Sequence, residues 1–507
     1  MGDRSAQWKE TWQLRAAFAA RLSAMYGREV PAYTTLVDVS REVNEDVLRE
    51  RGADAERLGA IGRVTAERHG AIRVGTPAEL QQVGRVFGAL GMRPVGFYDL
   101  REAATSAVPV VSTAFRPVAG DELARNPFRV FTSLLTPADP RFFDDDLRGR
   151  LEGFLGTREL FPPELLALAD RAEAEQGLGG GDAERFLQLA VGVFELSGEP
   201  VDRAWYETLE RVSAVAADIG GVRSTHINHL TPRVLDIDEL YRRMTGRGIE
   251  MIDAIQGPPR WDGPDVLLRQ TSFRALDEPR PMRQPDGSVV PGALRVRFGE
   301  VEARGIALTR RGRARYDELL SRVDAAAAEA ARAARAPASG TAATGATSVT
   351  ATARADIARD LWPTRFPRTE HALAEQGLAH FTYHAVADRP RDGRTPPPDL
   401  PGLLRDGWVR ADPVVYEDFL PRSAAGIFQS NLDDSGSRKS VEEGSGATAT
   451  ATAAYDSDWL SGAVGRDVLD PFALYEEQQS RSLADVARAL HLDHLNLPPG
   501  PASPPSD

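Results

Sequence analysis

Apolar positions recur at helical spacing through residues 8–60, in WKETWQLRAAFAARLSAMY and again in DVLRERGADAERLGAIGRV. That spacing predicts a helical N-terminal part over 1–68. At His69 the texture changes. HGAIRVGT reads as a strand, PAELQQVGRVFGALG as a helix that Gly91 ends, and RPVGFYDL as a second strand. VPVVSTAFRPV and PFRVFTSLL add two more, so residues 69–135 read as a βαβββ module. A mostly helical insertion fills 136–222. The pattern then returns over 223–323: HINHLTPRVL as a strand, IDELYRRMTGRG as a helix, and DVLLRQTSFRA, GSVVPGALRVRF and GEVEARGIAL as three further strands. The expected fold class is α+β, with a central sheet built from two βαβββ modules and surrounded by helices.

Beyond RRGRARYDELLSRV, an alanine-rich helical run dissolves into an Ala/Gly/Ser/Thr-rich stretch over 336–355, expected to be a flexible linker. A C-terminal part covers 356–497, interrupted by an insertion over 433–455 that is expected to be disordered, as is the tail at 498–507. The 507 residues are expected to form one elaborated domain.

Composition narrows the chemistry. The chain has no cysteine, which excludes disulfides, Cys-ligated zinc, iron–sulfur clusters and thiolate catalysis. The formal charge is −13, and only Lys9 and Lys439 among the 61 basic residues are lysine. This arginine bias reads as codon usage. A net acidic chain without a basic block argues against nucleic acid or an anionic membrane as partner. No apolar run approaches the ~18–20 residues that span a bilayer. MGDRSAQWKETWQ lacks the apolar run of a secretory signal, so a cytoplasmic protein is expected.

Any metal must then rest on the eight histidines and on carboxylates. His69 opens the first module and shares one strand face with Ala71 and Arg73, while Ile72 and Val74 face the other way. The Cα atoms of His69 and Arg73 would lie about 13 Å apart, which suits a metal at one end of a short diacid and a guanidinium at the other. In STHINHLTPR, strand spacing sets His226 and His229 on opposite faces, so at most one is a ligand, and His229 opens the second module. Glu300, Glu302 and Arg304 share a face of RFGEVEARGIAL, and either glutamate remains a candidate. Two rival pairs carry less weight: His491 and His494, placed on one face of a C-terminal helix, and His380 and His384, which lack an HExxH pattern.

Eight blocks in order carry a specific resemblance: ERHGAIRVGT, GFYDL, STAFRPV, PFRVFTSLL, HINHLTPR, LLRQTSFRAL, RFGEVEARGIALTRRGRARYDELL and VYEDFLPRSAAGIFQSNL. Together they resemble the 2-oxoadipate dioxygenase/decarboxylase family, from about residue 10 to 490. The resemblance implies a vicinal-oxygen-chelate-like sheet and a mononuclear Fe(II) held by His69, His229 and Glu300. It leaves Glu302 and His226 as residues supporting the ligands. It implies that Arg73 grips the distal carboxylate of the substrate and that the segment from Arg422 through Ser423 to Gly426 closes over that end. Arg422 departs from the small apolar residue the family carries before that serine. The implied reaction takes 2-oxoadipate and O₂ to 2-hydroxyglutarate and CO₂, within lysine breakdown. The alternatives are a glyoxalase-type metal-dependent isomerase or lyase on the same scaffold, and a non-catalytic binding protein.

Overall fold

The computed structural model describes residues 8–102, 107–335, 346–389, 393–420 and 455–495. Helices Thr11–Glu29 and Pro31–Arg51 form as the periodicity predicts. Leu14, Phe18, Leu22 and Met25 line the buried stripe of the first, and Leu36, Val39, Val43 and Val47 that of the second.

The first module follows. Strand β1 (Arg68–Val74) leads into helix Pro77–Gly88, which starts at a Thr76/Glu79 capping box. Strands β2 (Arg93–Asp99), β3 (Val110–Arg116) and β4 (Arg129–Leu135) complete it, with a short helix, Gly120–Arg125, before the last. The sheet order is β2-β3-β4-β1-β5, where β5 is His229–Pro232. β1 is therefore central, parallel to β4 and antiparallel to β5. Its two faces bury differently: Ile72 and Val74 enter one apolar core with Val111 and Val130, and Ala71 enters another with Ala114 and Phe131.

The second module departs from expectation. After β5 and helix Ile237–Gly246 come two 16-residue strands, β6 (Leu268–Arg283) and β7 (Val289–Arg304), paired antiparallel. GSVVPGALRVRF and GEVEARGIAL are one strand, so the module is βαββ. The apparent break at Phe298–Gly299 is absorbed as a register shift inside a continuous ladder, and the true turn lies at Gln284–Ser288. β7 adjoins the five-stranded sheet where the Val234 amide donates to the Glu302 carbonyl at 2.8 Å. The strand prediction for HINHLTPRVL also shortens: His226 precedes β5, so the opposite-face argument does not apply to it.

In the C-terminal part, strands Phe381–Ala385 and Val409–Pro413 pair beside helix Pro471–Ala489, over a core containing Trp362, Phe381, Trp408 and Tyr475. The flexible linker expected at 336–355 is corrected in its second half, because a helix runs from Ala346 to Leu361. RADIARDL is rich in helix formers, Ala358 is buried, and Arg354 pairs with Asp324 of helix Arg310–Arg335 at 2.8 Å. Residues 336–345, most of the 433–455 insertion and the 498–507 tail lie outside the described residues. His380 and His384 flank and occupy a strand rather than a helix. His491 lies past the helix end at positive φ, which removes the shared helical face with His494. Among the described residues, no helix is long and apolar enough to cross a membrane.

Candidate metal centre

Neighbouring strands bring the site together. His69 is the second residue of β1 and His229 the first of β5, with His229 opposite Ala71 in the antiparallel ladder. Glu300 comes from β7. One donor atom from each of His69, His229 and Glu300 lies within 4.8 Å of the others, and all three side chains are buried. Among the described residues this is the single such grouping of three donors.

Contacts behind these donors orient them. His69 presents Nε2 to Glu300 Oε2 at 3.4 Å and Nδ1 to Glu302 Oε2 at 3.0 Å. A carboxylate at Nδ1 selects the tautomer whose lone pair on Nε2 faces the centre. Burial would lower the His69 pKa, but Glu302 and Glu300 outweigh it and raise it. His229 Nδ1 lies 3.0 Å from Thr231 Oγ1, and its ring stacks on Phe298 at 5.3 Å between centroids. Burial holds His229 down at about 4, so it offers a neutral imidazole. Phe419 meets the His69 ring edge-on at 4.9 Å, so the C-terminal part closes this face of the site.

Glu302 is itself clamped. Arg304 donates to both of its oxygens, at 2.7 and 2.9 Å. Burial opposes the charge on Glu302, yet Arg304, His69 and Arg129 hold its carboxyl down at about 2. Gly299 shows how tightly β7 is held there: a Cβ would stand 1.9 Å from a ring carbon of Phe273. Two imidazoles and one carboxylate, buried, convergent and fixed from behind, fit a mononuclear divalent metal with open coordination positions.

A second polar cluster surrounds Arg73. Its Nη1 pairs with Asp218 Oδ2, which also accepts from Asn228 Nδ2 at 2.9 Å. His226 Nε2 lies 3.0 Å from that amide and 3.4 Å from Asp218 Oδ1. His226 therefore supports Arg73 rather than the donor triad, whereas Glu302 does stand behind a donor. Arg422 and Ser423 lie outside the described residues. The sequence reading missed Asp218, Asn228, Thr231, Phe298 and Phe419. Asp218, a lone acid inside the apolar helix AVAADIG, was the one with a readable signal.

Fold and donors together define the class: an α+β protein with a two-histidine, one-carboxylate donor set, able to hold a metal ion, between two strand modules. The family model described as 2-oxoadipate dioxygenase/decarboxylase matches residues 18–431. A Mycobacterium bovis protein named 2-oxoadipate dioxygenase/decarboxylase is 56% identical over 467 residues, covering 92% of this chain and 96% of the relative. A Pseudomonas putida protein of the same name is 42% identical over 491 residues, covering 95% and 98%. The crystal structure of the Pseudomonas putida hydroxyglutarate synthase in complex with 2-oxoadipate superposes with a TM-score of 0.78 at 38% identity, covering 96% of this chain and all of that one. The chain belongs to the 2-oxoadipate dioxygenase/decarboxylase family.

Proposed function

We propose that this protein is an Fe(II)-dependent dioxygenase that converts 2-oxoadipate and O₂ to 2-hydroxyglutarate and CO₂. The observation that carries this reading is the buried His69/His229/Glu300 donor set with Arg73 further along the strand that bears His69. Donors of this kind suit Fe(II), which supplies open positions for a 2-oxoacid and for O₂. Membership of the family and the 2-oxoadipate complex of the Pseudomonas putida relative support the choice of substrate.

The chain's own residues then divide the work. His69, His229 and Glu300 hold the metal. Glu302 fixes the His69 ring and Thr231 the His229 ring. Arg73 binds the distal carboxylate, orienting the keto carbon towards the metal end. Phe419 and Phe298 keep that end dry. The described cores join Leu14 to Val464, which supports reading the chain as one catalytic unit.

An oxygen electrode on Fe(II)-loaded protein supplied with 2-oxoadipate tests the reading. The expected result is O₂ uptake matched one-for-one by CO₂ release. Turnover without uptake would indicate an isomerase or lyase, and no turnover a binding protein. Arg73→Ala is expected to erase the preference for 2-oxoadipate over 2-oxohexanoate, since the latter lacks the distal carboxylate.

A further inference from the structure

Helix Thr11–Glu29 reaches the donor set through one side chain. Tyr26 belongs to its buried face, is fully buried, and brings its phenol to the backbone at β5 and β7. The hydroxyl donates to the Phe298 carbonyl at 2.8 Å and to the Asn228 carbonyl at 3.1 Å. One proton is thus shared between acceptors on two different chain segments. Burial pushes the phenol well above its ordinary pKa, so it keeps that proton and acts as a donor.

Both carbonyls stand beside a donor at an irregular point of the backbone. Asn228 immediately precedes His229, just outside β5, and its amide donates to the Ala71 carbonyl of β1 at 2.8 Å. Phe298 falls at a register shift of β7, two residues before Glu300. Such a shift bends its strand, so the aim of the side chains just beyond it depends on how the bulge is held. The Phe298 ring also stacks on His229, so one hydroxyl holds the residue that backs one donor and the strand that carries another. The helix is pinned here a second time, independently of the phenol. Glu29 pairs with Arg297, whose guanidinium lies 5.3 Å from the centre of the Tyr26 ring. Tyr33 meets that ring edge-on at 5.1 Å.

We propose that Tyr26 is a positioning residue for the metal site: its hydroxyl ties the backbone at β5 to that of β7, so that His229 and Glu300 are set together before an ion arrives. This rests on the reading of His69, His229 and Glu300 as the ligands. Donors already in place give up less freedom on binding than donors that must be gathered, and so hold an ion more tightly. Tyr26→Phe removes the tie and keeps the packing of the ring.

Calorimetric titration of the metal-free full chain with Co(II), joined to amide hydrogen exchange, tests this. Tyr26→Phe is expected to weaken Co(II) about tenfold and to alter the visible absorption of the bound ion, which reports donor geometry. Phe18→Leu lies on the same helix, among Phe87, Phe128 and Phe194. It loosens the core without touching either carbonyl, so both readings should stay at parent values. In the metal-free parent, amides of residues 228–231 and 298–302 should already exchange slowly and gain less than about threefold protection when Co(II) is added. In metal-free Tyr26→Phe they should exchange about tenfold faster than in the parent, until Co(II) restores them. The inference is overturned if Tyr26→Phe binds Co(II) like the parent or if Phe18→Leu weakens it equally. It is also overturned if the parent gains more protection than that on loading, a result that needs no variant to fold. His69→Ala separates the two readings. If it binds Co(II) as tightly as the parent, the assignment of the ligands fails. If it loses the ion while Tyr26→Phe keeps parent affinity, only the role of Tyr26 fails.

Discussion

Glu302→Gln is the most informative single change at the metal end. The substitution keeps the volume and lets the side chain still accept from His69 Nδ1. It removes the charge, however, and leaves Arg304 with one acceptor in place of two. The carboxyl of Glu302 sits at about 2, against an ordinary 4.5. At ~1.4 kcal/mol per tenfold, that difference amounts to about 3 kcal/mol of preference for the charged form in the fold. The sign follows from the lowered value: the contribution is complete above pH 4.5 and is lost as pH falls towards 2. Urea unfolding of the metal-free protein at pH 7 should therefore show the variant less stable by about 3 kcal/mol. By pH 3 the gap should narrow to less than half, because the unfolded chain has by then taken up the proton that the folded state still resists. Metal affinity should fall about 10–100-fold, since the His69 ring loses its anionic support. A gap below about 1 kcal/mol at neutral pH, or one indifferent to pH, would refute the clamp.

Three further changes probe separate supports. Gly299→Ala forces a Cβ into the Phe273 ring and should cost about 1–3 kcal/mol in urea unfolding; parent-like stability would show that β7 can shift freely. Thr231→Val removes the hydroxyl 3.0 Å from His229 Nδ1 and should weaken metal binding about tenfold with little change in the apo melting temperature. His380 is buried and held at about 4 by that burial, despite Gln479, so the folded state resists a proton that the unfolded chain takes up below about 6.5. Stability from this histidine is present above that pH and is lost as pH falls to 4. His380→Phe should therefore lose about 2 kcal/mol less than the parent between pH 7 and pH 4.5, measured by denaturant midpoint.

The metal end was legible because strand periodicity carries it. His69 and Arg73 share a face of β1, and Glu300, Glu302 and Arg304 share a face of β7, as a period of two requires. His229 was legible as the opening residue of a second module, but His226 was misread because only four residues of its segment are strand. Choosing between Glu300 and Glu302 needed either the family resemblance or the geometry, since both residues point the same way. Asp218 and Phe419 could not be read as site residues. One reaches Arg73 from a helix 145 positions away, the other reaches His69 from the C-terminal part, and pairings at such separations leave no local periodic trace. The long β6–β7 hairpin was misread for the opposite reason, because a register shift at Phe298–Gly299 looks like a strand end in sequence.

The arginine bias acquires a physical meaning once the buried residues are considered. Arg116, Arg129, Arg233, Arg297 and Arg304 are all nearly or fully buried, and each donates to more than one acceptor. Arg129 bridges Glu67 and Glu417, Arg233 joins Glu67 to the Leu58 carbonyl, and Arg116 takes both oxygens of Asp418. Arg304 binds Glu302 and the carbonyls of Tyr416 and Asp418 together. A planar guanidinium can do this in several directions at once, whereas a lysine ammonium offers one compact charge. These forks tie the Glu417–Asp418 segment, which precedes Phe419, to β3, β4 and β7. The packing of Phe419 on His69 and the charge on Glu302 thus depend on the same array. Replacing Arg304 with lysine should disturb both together: the candidate ligand His69 would lose its anchored carboxylate, and its aromatic cover would lose the carbonyl bonds that hold it in place.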